Sequence, residues 1–89
     1  MGRIQVISSF SGITIDMDYI LCVPSIHAIY DKEEAVIDFS GGIRERSSGF
    51  PDEKIELLRY WISKHKDEIM KNHQKCGLNE FPLDLIDPE

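Results

Sequence analysis

The sequence predicts a small α+β fold: an antiparallel β-meander of three to four strands packed against one long C-terminal helix, with an extended C-terminal tail. Three observations predict it. Apolar residues alternate at period two in the first half. They recur three and four apart between residues 52 and 76. Beyond Gly77 the periodicity stops, and Pro82 and Pro88 punctuate an apolar stretch. The 89 residues therefore read as one domain, with the meander over 3–46, the helix over 52–76 and the tail over 78–89.

Residues 3–8 (Arg-Ile-Gln-Val-Ile-Ser) suit an opening strand, and Ser11-Gly12 a turn. Ile13, Ile15 and Met17 alternate with Thr14, Asp16 and Asp18, as in a half-buried strand. Residues 19–24 are apolar but end at Pro24, which makes them a loop or an irregular edge. Residues 25–30 and 34–39 form the clearest hairpin. A two-residue turn within 31–34 pairs odd positions with even ones, so Ile26, Ala28, Tyr30, Ala35, Ile37 and Phe39 share a core face. Ser25, His27, Ile29, Glu34, Val36 and Asp38 take the other face. Ser40-Gly41-Gly42 fits a three-residue loop with a left-handed glycine, leading into a short strand over 43–46. Pro51 suits a helix start, Asp52 and Glu53 complement its positive end, and Gly77 is the expected C-cap.

Composition narrows the function classes. Ten basic against sixteen acidic residues give a net charge of −6, which repels phosphate backbones and anionic headgroups. No apolar run approaches the ~20 residues of a membrane span, and Ser8-Ser9 interrupt any leader-like segment. Cys22 and Cys76 are far apart and form no C-x-x-C pair, so neither a disulfide framework nor a zinc knuckle is expected, and the expected compartment is the reducing cytoplasm. No cofactor motif is visible. His65 and His73 lie about 12 Å apart along a helix axis and cannot share one ion, so no metal site is expected.

His27 is the main candidate for chemistry. In one of the two hairpin registers it lies opposite Asp38, whose carboxylate would raise its pKa and fix its tautomer as acid–base work requires. Ser25 shares that face, but side chains two apart on a strand stand about 6.5–7 Å apart and point in parallel, poor geometry for a nucleophile. A packing or surface histidine is the simpler reading. Surplus apolar residues form the second candidate: Leu21 and Val23 in the loop, and Phe81, Leu83, Leu85 and Ile86 in the tail. They either cover the domain's own core or present a surface to a partner. Asp16, Asp18, Glu34 and Asp38 would have to form one patch for a third role, that of an acidic mimic of nucleic acid.

Phe10-Ser11-Gly12-Ile13-Thr14-Ile15, the His27-Ala28-Ile29-Tyr30 strand with its Glu34-Ala35 partner, and the Leu/Trp helix occur in an order and spacing that resemble a bacterial family, domain of unknown function 4160. Where that family has a His-x-His pair entering the strand, this chain has Ser25 and His27; where glycine is common at the hairpin turn, it has Asp31-Lys32. The resemblance implies no defined activity. It implies a small protein encoded beside another small gene, as in toxin–antitoxin-like or regulatory pairs. The resulting expectation is a non-enzymatic interaction module that binds a protein partner or itself; the alternative is a small hydrolase or nuclease-like enzyme using His27 and Asp38.

Overall fold

The computed structural model describes residues 4–18 and 23–89. Five strands, β1 (Ile4–Phe10), β2 (Ile13–Asp18), β3 (Ser25–Tyr30), β4 (Glu33–Asp38) and β5 (Ile43–Arg46), form one antiparallel sheet in sequence order. Two helices follow, α1 (Asp52–Lys64) and α2 (Lys66–Gly77). The α+β class and the meander hold. The expected three to four strands and single long helix do not.

β1, expected as an opening strand over 3–8, runs on to Phe10 and forms one edge of the five-stranded sheet. Its register against β2 shifts between Val6 and Ser8, so Ile7 is a bulge and both Ile7 and Ser8 are buried. A bulge inserts one residue and reverses the alternation beyond it, which disguises the period-two signal. The helix breaks at His65, whose backbone (φ −114°, ψ 24°) leaves the helical region. Just before the break, Ser63 Oγ donates to the Tyr60 carbonyl at 2.7 Å, a back-bond of the kind that bends helices. The His65 ring is buried against Trp61 one turn earlier.

The β3–β4 register pairs Ser25 with Asp38 and Ile26 with Ile37, and the odd–even faces are those the sequence predicts. Asp31 opens the turn at φ 58°, a conformation that favours glycine. One sheet face buries Ile13, Ile15, Ile26, Ala28 and Ile37, and Leu58, Trp61, Ile62 and Ile69 of the helices belong to the same core. Each large side chain there contributes about 1.5–3 kcal/mol. The opposite face carries no helix of the described residues and presents Thr14, Asp16, His27, Ile29, Glu34 and Val36. Arg46 ties β5 to the start of α1 through the Phe50 carbonyl at 2.6 Å.

Gly77 is the last residue of α2 rather than its left-handed cap. That role passes to Asn79 (φ 57°), with Glu80 N–H donating to the Lys75 carbonyl at 2.8 Å and Asn79 N–H to that of Cys76 at 3.1 Å. Cys76 is buried and disulfide-bonded, where no disulfide framework was expected, and a reducing cytosol disfavours such a bond. Its sulfur partner lies outside the described residues. Among the described residues no helix is long and apolar enough to cross a membrane.

The β4–β5 loop is closed by Asp38. Its Oδ1 accepts from Ser40 N–H at 3.0 Å, Ser40 Oγ at 2.6 Å and Gly42 N–H at 2.8 Å. These bonds, with Arg44 nearby, hold its carboxyl below the usual range. A Cβ on Gly42 would meet Asp38 Oδ2 at 2.7 Å. Gly42→Ala is therefore expected to lower stability by about 1–3 kcal/mol, whereas Gly77→Ala, with nothing within 4 Å, should leave the urea midpoint unchanged or raised.

Candidate functional site

β2, β3 and β4 place three titratable side chains together on the sheet face opposite the core. His27 lies opposite Asp16 across the β2–β3 ladder and opposite Val36 across β3–β4. Its Nδ1 stands 3.0 Å from both Asp16 oxygens, and its Nε2 2.7 Å from Glu34 Oε1. Asp16 is only 1% exposed, while Glu34 reaches into solvent. The Asp16 hydrogen bond raises the His27 pKa most, burial opposes it, and the Glu34 hydrogen bond adds to it, bringing the ring to about 9. With a carboxylate on each nitrogen, the imidazole donates on both sides and is charged at neutral pH.

The expected His27–Asp38 pair does not form. The adopted register sets Asp38 opposite Ser25, one pleat along, and the turn amides engage its carboxylate. The histidine's partner comes instead from β2. Sequence reasoning missed Asp16 because the loop between β2 and β3 leaves their register unreadable, although Asp16 was visible as a polar residue within an apolar alternation. Asp16, Asp18, Glu34 and Asp38 do share one face. Even so, Asp16 is buried beside His27 and Asp38 is spent on its loop, so they present no array of free carboxylates.

Of the other predicted residues, Leu83 and Ile86 are each 3% exposed and are buried in the hydrophobic core. Phe81, Leu85 and Val23 are exposed; Leu21 lies outside the described residues. Ten large apolar residues are exposed among those described, and six of them line a row of three depressions along β1. Ile4 and Phe81 line the first, about 590 Å³; Val6 and Leu85 the second, about 500 Å³. Leu57 and Tyr60 line the third, about 400 Å³, beside the stacked rings of Phe10 and Trp61. The second and third share Ser9 and Pro88, so they are continuous. Sequence reasoning missed Ile4, Val6, Leu57 and Tyr60, since only folding brings β1, α1 and the tail to one edge.

Residues 12–74 match the profile of the family described as Domain of unknown function (DUF4160), which is more than half of the chain. The chain belongs to that family. The match takes in Asp16, His27 and Glu34 and stops short of β1 and the tail, so the ion triad lies within the part shared with the DUF4160 profile and the apolar row lies largely outside it. Comparison with curated proteins and with solved structures gives no match.

Proposed function

We propose that this DUF4160 domain is a non-enzymatic interaction module that binds a protein partner through the apolar row along β1 and the tail. The carrying observation is the concentration of exposed apolar side chains there, Leu85 at 77% and Val6 at 49%, on a chain whose net charge otherwise favours solvation. Contiguous exposed apolar surface marks interaction sites. The first partner to test is the one that the family resemblance suggests, a small protein encoded next to this one, in a regulatory or toxin–antitoxin-like pair.

The enzymatic alternative has less support. A general base near neutrality needs an unprotonated nitrogen, and both nitrogens of His27 face carboxylates while Asp38 is engaged elsewhere.

Light-scattering chromatography of the protein alone and co-expressed with the neighbouring gene product tests the proposal. The expected result is a stable complex that Val6→Glu and Leu85→Glu each weaken about tenfold or more, without moving the thermal midpoint. A protein that associates with nothing, or a complex indifferent to both changes, would overturn it.

A further inference from the structure

Side chains from both layers of the fold read the main chain of the tail. The Gln5 amide closes two hydrogen bonds on Leu83, Nε2–H to its carbonyl and Oε1 from its N–H, both 2.8 Å. Asn72 does the same to Asp84, at 2.9 and 2.8 Å. Each amide thus imitates the paired bonds of a neighbouring strand. Ile86 N–H then donates to the Ile7 carbonyl at the β1 bulge, and Trp61 Nε1–H to the Asp87 carbonyl at 3.0 Å. Lys75 Nζ donates to the Pro82 carbonyl at 2.8 Å, and His65 Nε2 lies 2.7 Å from the Glu89 main-chain oxygen.

Only two side chains of this segment are enclosed, Leu83 and Ile86, three residues apart, with Leu85 between them pointing out. The groove therefore reads an extended backbone and two apolar anchors, the combination by which peptide-binding domains recognise linear segments. None of these contacts depends on the segment being joined to α2.

We propose that the groove between β1 and the helices is a peptide-binding site, filled here by the chain's own tail, which takes residues 81–89 of a second copy in trans. This rests on reading the domain as an interaction module and specifies one partner of that module. Exchange between identical chains conserves every contact, so the balance depends on concentration against the effective concentration of the tethered tail, of millimolar order for a short flexible linker. The tether is short: residues 78–80 separate α2 from the segment, exposed but held by the cap's hydrogen bonds, which must open for exchange. At micromolar concentration the tail's own groove wins, and weakening the tethered anchors should open it to a free peptide.

The experiment measures fluorescence anisotropy of a labelled synthetic peptide of residues 78–89 against the full chain and against the full-length double variant Leu83→Ala/Ile86→Ala. The expected result is binding to the variant at least about tenfold tighter than to the unmodified chain, and none by a peptide with aspartate at both anchor positions. No binding to a variant that circular dichroism shows to be folded overturns the proposal, as does equal binding by the aspartate peptide. If the variant fails to fold, the unmodified, isotope-labelled chain is titrated with excess unlabelled peptide. Amide shifts at Leu83, Asp84 and Ile86 then support exchange, and an unchanged spectrum rejects it. A chain that fails these tests but still forms a complex with its neighbour protein would reject the groove and leave the interaction reading standing.

Discussion

Asn72→Leu is expected to destabilise the protein by about 2–5 kcal/mol, a large share of the 5–15 kcal/mol typical of a domain. Asn72 is fully buried, and both bonds of its amide go to the backbone of Asp84. Leucine keeps the branched shape and heavy-atom count and is somewhat bulkier, so no cavity opens and the lost hydrogen bonds dominate the effect. Two main-chain groups left facing an apolar wall cost about 1–3 kcal/mol each. An upper limit comes from the tail itself: if it detaches alone, the loss cannot exceed its docking energy, of which Leu83 and Ile86 supply about 1.5–3 kcal/mol apiece. Gln5→Leu breaks an equivalent pair in a half-buried position, where water can replace the lost partner, and should cost less. Urea titration ranks the two. Hydrogen exchange at the Asp84 and Ile86 amides shows whether the tail opens separately. An Asn72→Leu midpoint equal to that of the unmodified chain would mean that apolar packing alone seats the tail.

The contrast between those two clamps and the β3–β4 hairpin shows what was legible in the sequence. Local features were readable because their causes lie within a few residues. The turn at Asp31-Lys32 fixes an odd–even register, Ser40-Gly41-Gly42 turns at a left-handed Gly41, and Pro51 with Asp52 and Glu53 starts α1. The features that failed have distant causes. Gln5 holds the main chain of Leu83 through a side-chain amide that resembles any polar residue in the sequence. His65, where the helix breaks, finds a partner for its ring in Glu89, 24 residues away. The candidate site was half legible for the same reason: β3–β4 alternation gave His27 and Glu34 a common face, but Asp16 joins them only through the β2–β3 register.

His27→Ala is expected to lower stability by about 2–4 kcal/mol, somewhat below the 3–5 kcal/mol seen when a fully buried ion pair loses a partner, because the ring still reaches water. The cause is the residue left behind. Asp16, 1% exposed, would face a cavity with neither of its contacts to the imidazole. A catalytic histidine on a surface would predict the opposite, an unchanged thermal midpoint with lost activity. The pH dependence separates the two independently. The folded pKa of His27, about 9, stands above its ordinary 6.5, so its contribution is complete below pH 6.5 and disappears as pH rises through 9. The unfolding midpoint of the unmodified chain should fall between about pH 6.5 and 9, and His27→Gln should be nearly flat across that window. Parallel curves for both proteins would show that His27 is not held as a cation between its carboxylates, and the case for a neutral imidazole free for acid–base work would reopen. A decline confined to the unmodified chain would make the triad a structural tie across β2, β3 and β4, holding the sheet whose β1 edge carries the proposed partner surface.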